Sequence, residues 1–266
     1  MRSDKRNGRT PAKARRMAWN VRLLRRENEN RLSVILEIGQ GAERVKRVLR
    51  HVEKLRPKEL LLVAHGSDER TLETVFSHAS QSMTIFVYPF PLGMDVWRAI
   101  GAREATGDVL LLLGTQEVVP AAKLFSLVQA CYRGADIAAG RAERTLRQAG
   151  IGRSDALRLA EVCLNGMLAK FRGSALTDLP LAIRRESLGR IGAEHLMVPP
   201  LAYAMAVKSG LKVEQIGKES PSRKLRPGAK KTGRARAARA WREAEVRLGD
   251  YLEALHYVAT HADGNC

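Results

Sequence analysis

"SVILEIGQGAERVKRVLRHVEKLRPKELLLVAHGS", residues 33–67, decides the fold class. Its opening, Leu32 to Ile38 with the preceding leucine, is a short run of branched apolar residues. That pattern is typical of a strand buried on both faces. The period then changes. Val45, Val48, Leu49, Val52 and Leu55 recur at helical spacing, with Arg and Lys between them. "PKELLLVAHGS" returns to a continuous apolar strand that ends in a Gly-Ser loop. Strand, amphipathic helix and second buried strand make a crossover unit, and a crossover of this kind joins parallel strands.

The pattern repeats outward. "DERTLETVFSHA" predicts a helix with Asp68 or Ser67 as N-cap. "MTIFVYP" predicts a strand, and "GMDVWRAIGAREATG" a helix. "GDVLLLLGTQEVVP", residues 107–120, predicts a strand from Val109 to Leu113, followed by a helix with Pro120 near its first turn. "ADIAAG" is a further short strand. Four strand–helix units in succession predict an α/β fold, a mostly parallel sheet flanked by helices. Further on, 154–171 predicts a helix with the stripe Leu157, Ala160, Leu164, Met167, Leu168 and Phe171. "LPLAIRRESLGRIG" reads as strand then helix, "VPPLAYAMAVKSG" as helix, and "LKVEQIG" as strand.

The chain divides by composition. Residues 1–31 are a basic extension and 32–217 the α/β body. Residues 218–240 are a basic linker, and 241–266 a C-terminal amphipathic helix and tail, the helix itself reading from about Ala235 to Ala259. The extension and linker are expected to be mobile. The final helix is expected to pack on the body near 154–210 through Trp241, Val246, Leu248, Leu252, Leu255, His256 and Val258.

The net charge is +18, and its distribution matters more than its total. Residues 1–31 carry 11 Lys/Arg against 3 acids, and 218–242 carry 10 against 1, so the body is nearly neutral. Such flanks favour an anionic membrane surface or another polyanion, against the plainer reading of solvated tails. The 45% apolar content supports a sizeable core, and no apolar run approaches the length of a membrane span. The basic N-terminus lacks the apolar segment of a secretory signal. Cys131, Cys163 and Cys266 are too few and too scattered for a disulfide framework. A cytoplasmic setting follows as the expectation, with peripheral membrane contact through the basic flanks.

Several motifs fall away. "GQGAER" would need a glycine where Arg44 stands, and an acid where Ala64 ends the second strand, to bind a dinucleotide. Gly39 and Gly41 are simpler as turn residues. No P-loop and no Gly-x-Ser-x-Gly elbow occurs, and the six histidines show no metal-ligand spacing.

The order of elements from 32 to 140 resembles the first half of family 2 glycosyltransferases, which have the GT-A fold. The carrying stretches are "SVILEIGQGAERVKRVLRHVEKLRPKELLLVAHGSDERT" and "PLGMDVWRAIGAREATGDVLLLLGTQEVVPAAKL". "IRRESLGRIGAEHLMVPPLAYAMAVKSGLKV" is similar, more loosely, to that family's acceptor-side segment. The resemblance implies a nucleotide-sugar donor, an acceptor and a divalent metal, Mg²⁺ or Mn²⁺. It also implies departures. Glu37 replaces a strand-end proline, Gln40 an asparagine and Gly41 a glutamate. Gly114 and Gln116 occupy the two positions of the metal-binding Asp-x-Asp, so no metal site is expected, with Glu117 at most a single ligand. Val198, Pro199 and Pro200 stand where the family carries the Glu-Asp pair that supplies its general base.

A neutral Gln116 can hydrogen-bond a ligand but cannot hold a hard cation that wants carboxylate oxygens. The resemblance then places Gln40, Gly66, Ser67, Gly93, Arg98 and Gln116 around the donor, with Arg98 or Arg103 neutralising phosphate. Glu194 and His195 are the candidate replacements for the catalytic base. Two functions compete: transfer of a sugar from a nucleotide sugar, or a catalytically inactive descendant that binds and docks on an anionic surface.

Overall fold

The computed structural model describes residues 31–140, 155–168, 176–217 and 234–261. β1 (Leu32–Ile38), β2 (Glu59–His65), β3 (Met83–Tyr88) and β4 (Val109–Gly114) alternate with α1 (Ala42–Glu53), α2 (Glu69–Ser77) and α3 (Val96–Glu104). Next come α4 (Ala121–Tyr132), β5 (Ile137–Gly140), α5 (Asp155–Leu168), β6 (Leu181–Arg184) and α6 (Arg185–Ile191). A 3₁₀ turn (Ala193–Met197), α7 (Pro199–Lys208), β7 (Val213–Ile216) and α8 (Arg234–Thr260) complete the described elements. The expected strands and helices are all present.

The sheet has seven strands in the order β3-β2-β1-β4-β6-β5-β7. All neighbours are parallel except β6, which runs antiparallel to both β4 and β5. On one face Ile35, Leu61, Val63, Leu110 and Leu112 pack with Trp97 of α3, Leu164 of α5, Tyr203 of α7 and Tyr251 of α8. On the other, Leu36, Leu62, Leu111 and Leu113 meet Val45, Leu49 and Val52 of α1 and Leu124 and Val128 of α4. Burial on both faces is why these strands read as unbroken apolar runs.

Small residues and polar ties fix how the layers sit. A Cβ on Gly101 would run into Ile35 Cγ2, so α3 rides directly on β1 because that position has no side chain. At the amino ends of the strands the Ser33 hydroxyl donates to Glu59 (2.5 Å) and accepts from the Gly107 N–H (2.7 Å). Asp68 caps α2, accepting from the Thr71 N–H at 2.8 Å.

The C-terminal helix docks on α5 and α7, and its contact face differs from the one expected. Tyr251, Ala254 and Val258 are buried, with Leu248 and Leu255 at the margin. Val246 and Leu252 are 52% and 55% exposed, and His256 is exposed too. The seam is centred on a tyrosine and an alanine because a small side chain lets two helix backbones approach. An expectation weighted by leucines misses that. Similarly, Met167 is 50% exposed. It lies about 100° around α5 from the buried Leu168. α8 spans Arg234–Thr260, within a residue of the helix expected from about Ala235 to Ala259, so its first turns overlap the segment assigned to the linker. The Trp241 side chain, Phe171, Cys266, residues 1–30 and 218–233 lie outside what is described, so the expectations of mobility there are not addressed.

Candidate functional site

β1, β2 and β4 end side by side, and the loops after them form the carboxyl edge where ligands of open α/β sheets bind. Ser67 Oγ donates to the Ile38 carbonyl at 3.0 Å, tying the end of β2 to that of β1. Gly39 N–H reaches Thr115 Oγ1 at 3.4 Å, tying β1 to the loop after β4. Gly66 is left-handed (φ 57), and a Cβ there would sit 2.8 Å from Pro91 Cγ, so the turn needs glycine for both reasons. Gln40 is exposed in the β1–α1 turn, and Gly93 is exposed just before α3. The structure therefore gathers Gln40, Gly66, Ser67, Gly93 and Gln116 at one edge of the sheet.

Between β1, β4 and the 177–180 segment lies a cleft of about 190 Å³. Glu37, Gly114, Gln116, Glu117, Thr177, Asp178 and the apolar Val48, Leu113 and Leu179 are among its walls. Of the residues expected at the donor, Gln116 lines this cleft, with Glu117 beside it. Its polar side chains are carboxylates, an amide and a hydroxyl, and among the described residues no Lys or Arg lines it.

The sequence reading treated Glu37 only as a lost proline, yet it dominates the floor. Its Oε1 is 3.3 Å from His65 Nε2, and its Oε2 is 3.1 Å from where a Cβ on Gly114 would be. His65 Nδ1 accepts the Leu92 N–H at 3.2 Å, so the neutral ring carries its proton on Nε2, which lies near the carboxylate but outside hydrogen-bond geometry. The space that a side chain at 114 would use is thus taken by a carboxylate from the neighbouring strand. Nothing in the spacing of the chain could signal this; only the β1–β4 register, Glu37 opposite Gly114, brings the two together.

Arg98 does not face the cleft. It is 2% exposed, and its guanidinium is spent on the Leu176 carbonyl (2.8 Å), the Thr177 carbonyl (3.0 Å) and Asp95 (Nε to Oδ1, 2.7 Å). Its role is to hold the 176–177 segment that leads into the cleft wall. Burial lowers its pKa from the ordinary value, opposed chiefly by Asp95. Arg247 of α8 closes on the same acid, 2.8 Å from Asp95 Oδ2, and lies 3.3 Å from Asp250. Two arginines and two aspartates therefore form a largely buried, charge-balanced knot behind the 176–177 segment. Arg103, the other arginine considered for phosphate, is exposed and 4.0 Å from Glu194.

Burial pushes the Asp250 carboxyl up to about 6, with Arg247 pulling the other way. The folded state then holds that proton more tightly than the unfolded chain does. Asp250 therefore costs stability as pH rises from about 4 to about 6, on the order of 3 kcal/mol for the full shift. Asp250→Asn is expected to flatten the urea-unfolding profile across that window and to be at least as stable as wild type at pH 7. A variant clearly weaker at pH 7 would mean that the Arg247 pair outweighs the burial cost.

Glu194 and His195 sit in the 3₁₀ turn, which packs on α3, and neither lines the cleft. His195 Nδ1 is 2.7 Å from the Ile191 carbonyl. That contact requires the proton on Nδ1 and leaves the Nε2 lone pair available, the tautomer a general base needs. Among the described residues, no group of three or more His, Cys, Asp or Glu is placed to hold a metal ion. With Gly114, Thr115 and Gln116 at the loop and Glu37 filling the adjacent space, the donor set does not fit the divalent ion that the family resemblance implies. Burial pushes the Cys131 thiol up to about 12, which makes it an inert core residue.

Sequence residues 42–53 supply a feature that was not anticipated. α1 opens at Gly41 with no side-chain cap, Arg44 donates to the Gln40 carbonyl at 3.4 Å, and Val48 of the same helix lines the cleft. The sequence "GQGAER" carried that arginine in view, but only as a departure from a dinucleotide motif.

No protein-family model matches the chain, and no curated protein sequence matches it. Solved structures do. Glucosyl-3-phosphoglycerate synthase from Mycobacterium tuberculosis in complex with UDP superposes with a TM-score of 0.58 at 13% identity, over 94% of this chain and 86% of that one. The same enzyme with Mg²⁺ and UDP gives 0.56 at 16%, over 74% and 73%. Its complex with Mn²⁺, UDP-glucose and phosphoglyceric acid gives 0.55 at 13%, over 79% and 75%. At such identities the likeness concerns the fold. The chain has a GT-A-like fold, with its mostly parallel seven-stranded sheet flanked by helices.

Proposed function

We propose that this protein is a glycosyltransferase of the family 2 type that binds a nucleotide sugar at the carboxyl edge of β1, β2 and β4 and transfers its sugar to an acceptor. The observation that carries the reading is the cleft beside Gln116, at the strand ends of a fold whose neighbours hold UDP and UDP-glucose. The cleft, at about 190 Å³, is smaller than the several hundred Å³ of a whole-ligand pocket, so it suits one part of such a donor.

Two of the three structures described hold Mg²⁺ or Mn²⁺ with the nucleotide or nucleotide sugar. Here the leaving diphosphate needs another counter-charge. The uncapped start of α1, with Arg44 one turn in, is the nearest arrangement that supplies backbone N–H donors and a cation together. Gln40, Ser67, Gly66 and Gly93 would shape the nucleotide side and Gln116 would hydrogen-bond the donor. His195 Nε2 would take the acceptor proton, with Glu194 beside it. The acceptor is a hydroxyl compound. The basic flanks, 1–31 and 218–242, would bring the enzyme to an anionic membrane surface or polyanion in the cytoplasm. Among the described residues no helix is long and apolar enough to cross a membrane.

The experiment is release of UDP from UDP-glucose, with candidate acceptors, in the presence and absence of EDTA. Turnover that survives EDTA and falls at least tenfold in His195→Ala supports the proposal. Turnover abolished by EDTA, or untouched by the substitution, contradicts the metal-free chemistry or the base. Absence of turnover combined with tight UDP binding would favour the non-catalytic binding protein.

A further inference from the structure

The Glu37 carboxylate is the least expected group at the site. Its Oε1 lies 3.3 Å from His65 Nε2 on one side, and it abuts Gly114 on the other. It lines the cleft with Gln116, Glu117 and Asp178, and among the described residues no cationic side chain lines that cleft. A phosphate seated directly here would face like charge. What suits this carboxylate is a hydrogen-bond donor, and a carboxylate with two oxygens accepts well from two adjacent hydroxyls.

Resting on the nucleotide-sugar reading, we infer that Glu37 is a specificity-determining residue that accepts hydrogen bonds from a vicinal diol of the ligand, in the cleft it lines with Gln116. His65 is its positioning residue. A side chain at 114 would crowd this carboxylate, since its Cβ would lie 3.1 Å from Glu37 Oε2. The diol could belong to the nucleoside ribose or to the sugar being transferred, and the same set of ligands separates the two.

The test is calorimetric titration of the full chain with UDP, 2′,3′-dideoxy-UDP and UDP-glucose, for wild type and Glu37→Ala, with the isosteric Glu37→Gln as a second variant. If the ribose is read, wild type prefers UDP over the dideoxy analogue by roughly ten- to hundredfold, and the preference collapses towards one in Glu37→Ala. If the sugar is read, UDP affinity is unchanged by the substitution and UDP-glucose weakens by a similar factor. His65→Leu should shrink whichever preference is found while leaving dideoxy-UDP affinity as it was. Wild-type-like binding of all three ligands by both Glu37 variants overturns the assignment and leaves the nucleotide-sugar reading standing. Failure of wild type to bind any of them overturns both.

Discussion

Asp95→Ala is expected to lower the unfolding free energy by about 3–5 kcal/mol. The acid is 5% exposed and holds two arginines, Arg98 at 2.7 Å and Arg247 at 2.8 Å. Removing it leaves the Arg98 guanidinium, 2% exposed, without its nearest counter-charge, and buried charges cannot be left unpaired cheaply. Because Arg98 also holds the Leu176 and Thr177 carbonyls, the cleft wall should loosen along with the fold. Urea unfolding monitored by circular dichroism gives the stability, and protease susceptibility near 176 gives the local effect. A loss under about 1 kcal/mol would place the knot among screened surface pairs.

The second large effect concerns α8. Val258 is 3% exposed in the seam against α5 and α7, whereas Leu252 on the same helix is 55% exposed. Val258→Asp buries an unpaired carboxylate and forfeits a packed side chain, so a loss of about 3 kcal/mol or more is expected. Leu252→Asp should stay within about 0.5 kcal/mol. Equal effects at the two positions would mean that α8 presents a different face to the body.

How far the chain announced this structure varies by element. β1, β2 and β4 were legible because strands buried on both faces must be continuously apolar, and their helices must switch period; the half-exposed edge strand β3 was legible from its branched and aromatic residues. The antiparallel β6 was not, since "LAIR" has the same apolar look in either direction and only its pairing with β4 and β5 sets its sense. The α8 seam was half legible: periodicity gave an amphipathic helix, but Ala254 at its centre carries little hydrophobic weight in a sequence. At the site, the loop positions Gln40, Gly66, Ser67 and Gln116 came from order along the chain. Arg98 was misplaced because an arginine on a helix reads as surface until its partners at 176–177 and on α8, far along the chain, are known. Glu37 was missed for the same reason, since its meaning lies in a strand register with Gly114 and an imidazole from β2.

The central claim is a nucleotide-sugar site that works without a divalent ion, and one titration reaches it directly. UDP-glucose is titrated into the full-length protein in EDTA and again in excess Mn²⁺, with the heat of binding recorded. Gly114, Thr115 and Gln116 offer no carboxylate at the loop, and Glu37 already fills the neighbouring space. The expected result is saturable binding in EDTA with a Kd that Mn²⁺ changes by less than about threefold, or roughly 0.7 kcal/mol. Binding that appears only with Mn²⁺ would contradict the account.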